Sequence, residues 1–422
     1  MSRALDPETI AALDKIDPAA AYHQISSALT PPSSGPLLDI EILPPSHFPQ
    51  PFTHFVLRDG PAVGISKLGL VQAFLHARQR LQSYLSSFSS QPHHSHQGEE
   101  QDDEAAILAL TSTILLFDPE HLTAANTRKR LLLRHLSSSP SSSGAITSTS
   151  SPHHSSAAAD SSLLRALVNR DLRLIDSLLT SRLHRHTKSP TLWNHRRWLV
   201  TQLASRGLLV LLDDSDEAGG GGGGEAEVVV RTLTEVVGVA GERHERNYYA
   251  WGHARFLMGL IRGGKGGERG GGGDGKVVEV IKRWCFQHHT DISGWAFLGY
   301  LLGLGRQQRQ QEQSGGDGGD GEGGIGVEGR KEAERVFAEV LDLVENLRLA
   351  NESVWVFLRT MTASGLVGEE MVARYKEVQA KVLETALEPR DQAVLKAAVD
   401  WSERYRRRDG PRLGKGEGEY CG

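Results

Sequence analysis

Cysteine is nearly absent from this sequence. Only Cys285 and Cys421 occur in 422 residues, which excludes a disulfide scaffold and fits a reducing compartment. Long hydrophobic runs are missing as well. The longest aliphatic run, Leu208 to Leu212, is far too short to span a bilayer, and the N-terminus places Asp6 and Glu8 where a signal peptide would need an apolar core. The net charge of −5 gives no basic excess of the kind nucleic acid requires. Alternating β-branched runs are nearly absent, which argues against an extensive sheet. A soluble cytoplasmic protein is the expectation.

Glycine, by contrast, is abundant: 46 residues, roughly one and a half times ordinary usage. Most of the excess lies in tracts. Residues 137–160 are rich in Ser, Ala and Thr, residues 212–225 contain six consecutive glycines, and residues 263–275 and 306–327 mix Gly with scattered charge. None carries enough apolar surface to offset its ordering entropy, so all four are expected to be disordered insertions. A phosphate-binding loop would need Gly-Lys followed by Ser or Thr after a strand; Lys265 is followed by Gly266. The domain expectation is a partly disordered N-terminal segment over 1–62, one helical domain over 63–407 that carries the four insertions, and a disordered tail over 408–422.

Between the tracts the chain reads as pairs of helices. Leu164, Leu167, Val168, Leu172, Ile175 and Leu179 recur at steps of three and four and place one apolar stripe on one helix face. Similar stripes occupy Glu104–Phe117, Lys276–Phe286 and Glu328–Leu347, each followed by a second apolar helix. The second helices resemble one another. One begins Lys188-Ser-Pro-Thr-Leu-Trp193-Asn194-His-Arg196-Arg197-Trp198; others place Trp251, Trp295 and Trp355 near their starts; a worn copy has Ala125 at that position. Once the insertions are discounted the repeat has roughly 40 residues, the size of a two-helix solenoid unit. The fold class expected is all-α, an alpha-alpha superhelix of five or more hairpins over about residues 104 to 362. Leu70–Phe88 is expected to cap one end, and Met371–Leu387 with Asp391–Arg406 to close the other.

Trp193 followed by Asn-His-Arg-Arg-Trp, with the Asn247-Tyr248-Tyr249-Ala-Trp251 lead-in, resembles the repeats of protein prenyltransferase alpha subunits. These belong to the farnesyl, geranylgeranyl and Rab geranylgeranyl enzymes. The Lys-Ser-Pro lead-in and the irregular insertions look most like a divergent branch, the alpha-subunit-repeat-containing proteins. The resemblance implies a chain that works beside a separate beta subunit, which holds the zinc, the isoprenyl diphosphate and the thiol of a cysteine-bearing protein. It implies a diphosphate-facing lysine five residues before the repeat tryptophan, which is Lys188 here, and substrate- or partner-facing positions at Asn247, Tyr248 and Tyr249. Ser189 and Pro190 depart from the family's Asn and Tyr. Read without the family, Lys188 is a solvated lysine ahead of a helix, and the tryptophans with Asn194, Arg196, Arg197 and Trp198 are structural, one large ring filling each joint.

No metal site is expected in this chain. Cys285, His288 and His289 lack ligand spacing, and Cys421-Gly422 is no prenylation box. Two functions remain open: the catalytic heterodimer subunit, and a helical-repeat scaffold that binds proteins without catalysis.

Overall fold

The computed structural model describes residues 6–30, 35–48, 53–88, 97–138, 154–206, 225–263, 272–304 and 327–406. The Gly-rich stretches within 212–224, 264–271 and 306–326, the serine stretch 139–153 and the tail 407–422 lie outside them. The chain divides into two compact units, residues 1–270 and 271–422.

The first unit begins with two short helices, α1 (Pro7–Leu13) and α2 (Pro18–Ala28). Both start by the same local rule: the carboxylates of Asp6 and Asp17 accept from backbone N–H groups of the first turn, and a proline follows at the first helical position. Next come β1 (Asp39–Leu43), β2 (Val56–Asp59) and β3 (Ala62–Ser66). They form one small sheet of order β1-β3-β2, with β1 parallel and β2 antiparallel to β3. The β2–β3 turn passes through Gly60 at φ 56, a left-handed position that suits glycine. Ile40, Val63 and Ile65 are fully buried. Helix α3 (Lys67–Phe88) follows, and Phe55 lies so close to Gly69 that a Cβ there would stand 2.5 Å from its ring.

Of the segment 1–62, expected to be partly disordered, residues 6–30, 35–48 and 53–62 form described structure and the rest lies outside the described residues. Ala21, Tyr22, Ile25, Ala28 and Leu29 recur at helical spacing, bury against α3, and give α2 a core-facing stripe. Helix α3, which holds the expected end cap Leu70–Phe88, packs against both α2 and α4, and α2 also touches α4, so the cap is built from α2 and α3 together. The sheet escaped sequence reading because its strands have four or five residues, too few for a period of two to register.

Three helix pairs complete the first unit. α4 (Gln97–Phe117) pairs with α5 (Leu122–Ser138). α6 (His154–Leu179) pairs with α8 (Pro190–Ala204) through the single-turn helix α7 (His184–Thr187). α9 (Glu225–Thr232) runs through a π-helical segment, Leu233–Gly238, into α10 (Val239–Arg243), and pairs with α11 (Tyr248–Gly263). Helix α6 starts at His154, so residues 154–160 are helical rather than part of an insertion. Their Ser, Ala and His content does not interrupt a helix that the apolar stripe from Leu164 onward anchors.

The second unit has the same grammar. α12 (Gly272–Gln287) pairs with α13 (Ile292–Leu301); α14 (Val327–Leu347) and α15 (Glu352–Ser364) follow; α16 (Glu369–Thr385) and α17 (Pro389–Tyr405) end the described chain. Residues 272–275, read as the end of an insertion, belong to α12. The fold is an all-α helical repeat that carries, among the described residues, one small sheet, and no described helix is long and apolar enough to cross a membrane.

Candidate functional site

The repeat register is exact in one respect: Ala125, Trp193, Trp251, Trp295 and Trp355 are each the fourth residue of their helix, and all are buried. At this place the indole can reach back across the turn. Trp193 Nε1–H donates to Thr187 O at 2.8 Å, Trp295 Nε1–H to His289 O at 3.0 Å, and Trp355 Nε1–H to Leu349 O at 2.9 Å. Each of these rings therefore fills its joint and hydrogen-bonds the carbonyl six residues before it, which ties the helix start to the turn ahead of it.

The helix caps join successive repeats at the same level. Ser189 caps α8 through Leu192 N–H and donates its hydroxyl to Pro119 O in the preceding turn. Asn247 accepts from Ala250 N–H and donates through Nδ2 to Thr187 O at 2.7 Å. In the second unit Ser353 Oγ–H donates to Thr290 O, one turn back. Asn247 is 1 % exposed, which corrects its reading as a partner-facing residue. An asparagine at an N-cap, like the serine at 189, can accept from its own helix and donate to the neighbouring turn at once.

Behind the turns runs a buried ionic ladder. Arg128 and Arg196 both stand three residues after the repeat position. Arg128 Nε–H donates to Asp171 Oδ1 at 2.6 Å, and His195 Nε2–H donates to Asp171 Oδ2 at 2.7 Å. Arg196 makes a two-pronged contact with Asp176 at 2.7 and 3.2 Å, and its Nη1–H donates to His253 Nε2 at 2.7 Å. Asp171 and Asp176, both on α6, thus tie α5, α8 and, through Arg196, α11. Burial opposes ionisation of Asp171, yet the Arg128 guanidinium and His195 hold its carboxyl well below the usual carboxylate range. Sequence reading gave the arginines after the repeat position a structural place but passed over their partners Asp171 and Asp176. The available clue was two acids set inside the stripe of α6. Asn194 and Arg197, by contrast, point outward, with Arg197 over the Phe256 ring at 4.4 Å, and Trp198 is half-buried against the α5–α6–α8 core.

The exposed side of the turns carries the candidate site. Lys188, Tyr248 and Tyr249 are all exposed, Tyr248 by 77 %. The turn of Lys188 and the turn of the tyrosines are tied by the Asn247–Thr187 bond and by the His184 and His244 rings, edge to face at 4.1 Å. Thr187 O, directly before Lys188, therefore receives two donors, Trp193 from its own repeat and Asn247 from the next. Arg185 on the same turn pairs with Asp118 at 3.4 Å. An exposed ammonium on one turn and exposed phenols on the turn tied to it are donors from which an oxyanion brought by another molecule can accept.

Beneath this edge His186 is buried and donates Nε2–H to Leu115 O and Leu116 O at 3.2 and 2.8 Å. Desolvation pushes its pKa down to about 4, and burial with Arg196 alongside pushes that of His253 well below its usual value. Both folded-state values lie below the unfolded value near 6.5, so the unfolded chain binds more protons in between. Stability is therefore fully present above about pH 6.5 and falls as the pH drops toward 4. For His186 the loss is expected to reach roughly 3 kcal/mol. Urea unfolding at pH 7.5 and pH 5 checks this: His186→Gln should flatten the pH dependence, and an unchanged slope would remove His186 from the account.

Cys285 is fully buried and burial pushes its thiol well up. His288 Nδ1 lies 2.9 Å from Trp284 O, and His289 Nδ1 lies 3.2 Å from Asn351 Nδ2. Among the described residues no three His, Cys, Asp or Glu side chains are grouped to hold a metal ion.

Comparison with known proteins places these features. Residues 169–203, which hold Asp171, Asp176, Lys188, Trp193 and Arg196, match the protein prenyltransferase alpha subunit repeat. Residues 208–316, which hold Asn247, both tyrosines, Trp251 and Trp295, match the ECM9 middle domain. Protein ECM9 of Saccharomyces cerevisiae is 29% identical over 136 residues, 32% of this chain and 29% of that protein. The human protein prenyltransferase alpha subunit repeat-containing protein 1 is 27% identical over 137 residues, 32% of this chain and 31% of that protein. The matches thus span less than a third of the length of either curated relative. The likeness to the protein prenyltransferase alpha subunit repeat lies on residues 169–203, the α6–α8 hairpin.

Proposed function

We propose that this chain is the alpha-type subunit of a heterodimeric protein prenyltransferase. In the reaction a cysteine thiolate sulfur bonds to the first carbon of an isoprenyl diphosphate, geranylgeranyl or farnesyl. The carbon–oxygen bond breaks, and diphosphate departs with the electron pair. The partner beta subunit holds the isoprenoid, the protein substrate and the zinc, which supplies a deprotonated thiol. This chain presents the turn edge of Lys188, Tyr248 and Tyr249 to the diphosphate end of the cleft, in a cytoplasmic setting. The observation that carries the reading is Lys188: its ammonium is exposed, while the carbonyl before it is held from two repeats. A donor on so fixed a backbone acts on charge that grows as the bond breaks, and so favours the transition state over bound substrate.

The test begins with affinity purification of the chain from its native cell to identify the beta subunit. In the reconstituted pair, Lys188→Ala should lower turnover by roughly one to three orders of magnitude, as for loss of one preorganised donor, and leave assembly intact. Assembly with wild-type turnover in Lys188→Ala would overturn the catalytic assignment. Purification without any beta subunit would favour the alternative, a non-catalytic scaffold that grips proteins along the same edge.

A further inference from the structure

The first unit contains a cavity of about 720 Å³ whose lining includes none of Lys188, Tyr248 and Tyr249, within the size range of small-molecule sites. One wall is the chain segment from Gly35 to Asp39. The facing wall is the α9–α10 helix, where the π-helical segment contributes Glu235 and Val236 and the following turn contributes Val239. A π turn widens the helix and sacrifices regular hydrogen bonding, and such turns recur at functional sites. The floor is polar and already satisfied: the Asp176–Arg196 pair lies there, and Arg173 donates to Gly35 O and Pro36 O at 2.7 and 3.0 Å. Leu37, Leu38 and Leu172 face Val236 and Val239 to make an apolar middle. At the rim stand Arg243 and Asp39.

Two observations of the cavity lining point to a ligand. Guanidinium groups outnumber carboxylates around the cavity by four to three, Arg173, Arg196, Arg231 and Arg243 against Asp39, Asp176 and Glu235. Asp39 is ion-paired on both oxygens, with Arg182 Nε at 3.5 Å from Oδ2 and Arg243 Nη2 at 3.6 Å from Oδ1, yet Oδ1 itself is shielded from solvent and receives no hydrogen bond. A ligand that fits places an N–H on Asp39, an oxyanion on Arg243 and an apolar tail between Leu38 and Val236. We propose that this cavity binds an amphipathic carboxylate whose hydrogen-bond donor lies next to its charge, of the chemical class of N-acyl amino acids. In such a molecule one carbon separates the amide nitrogen from the carboxyl carbon, a spacing suited to neighbouring Asp39 and Arg243, and a carboxylate can take two donors of a guanidinium.

The probe is N-octanoylglycine, titrated calorimetrically below its micelle concentration into the full chain. One saturable site is expected. N-octanoylsarcosine, which lacks the amide N–H, and N-octanoylglycinamide, which lacks the charge, should each bind at least about tenfold more weakly, the loss of one good polar contact. Arg243→Ala should weaken N-octanoylglycine by a similar factor and leave N-octanoylglycinamide unchanged. Val236→Trp, which fills the apolar middle, should abolish binding. Absence of a saturable site in the wild-type chain, or one affinity for all three compounds, overturns the proposal. The ligand series and the partly exposed Arg243 decide the matter even if Val236→Trp fails to fold.

Discussion

Asp171→Ala should destabilise the first unit by about 3–5 kcal/mol, the range for removing one member of a buried ion pair. Asp171 is 1 % exposed and accepts from both Arg128 and His195. Its removal leaves the Arg128 guanidinium, also 1 % exposed, with only Leu108 O and the hydroxyls of Thr111 and Ser112 as partners. Those neutral acceptors hydrogen-bond the charge without balancing it. A loss of this size is a large share of the 5–15 kcal/mol that stabilises an ordinary domain. Equilibrium urea unfolding followed by far-ultraviolet circular dichroism measures it. Arg128→Met combined with Asp171→Leu should recover most of the loss, because apolar side chains of similar volume remove both charges together. Asp171→Ala at wild-type stability would mean that the ladder holds nothing together.

Trp193→Ala is expected to cost about 3–5 kcal/mol as well, by a different route: loss of a large buried side chain and the cavity left behind. The ring is 3 % exposed, lies 5.4 Å from the His253 ring of the next repeat, and donates to Thr187 O. Trp193→Phe separates the contributions. It keeps most of the apolar volume and forfeits the Nε1–H bond, so it should cost only about 1–2 kcal/mol more than zero. Thr187 O retains Asn247 as donor in either variant. Trp193→Ala therefore tests the joint, whereas Lys188→Ala tests the surface that the joint supports. If Trp193→Ala unfolded at the wild-type urea concentration, the repeat joint would not depend on its ring.

Much of the repeat was legible before any coordinates. Trp193, Trp251, Trp295 and Trp355 mark one register because a large ring near the start of a helix has few places to go but the joint, and the stripe of α6 shows its buried face directly. The cap residues were less legible. Asn247 looks like a surface residue in a list of polar side chains, and only its place between two turns turns it inward. The strands at 39–43, 56–59 and 62–66 were missed because pairing between distant segments, rather than local alternation, makes them a sheet.

What the sequence by itself determined is the local grammar: which segments are helical, where Ser189, Asp291 and Asn351 begin helices, and which face of each is apolar. These follow from spacing and from side chains that bond within a few residues of themselves. Only the tertiary structure decided the partners. Asp171 and Asp176 are two acids in an apolar stripe until α5, α8 and α11 bring Arg128, Arg196 and His253 to the same layer. The cavity beside Asp39 likewise exists only because residues 35–39 cross a helix nearly 200 positions away in the chain. The physical reason is common to both: a buried charge is stable only where its counter-charge is placed, and that placement is a property of packed helices, which no single segment encodes.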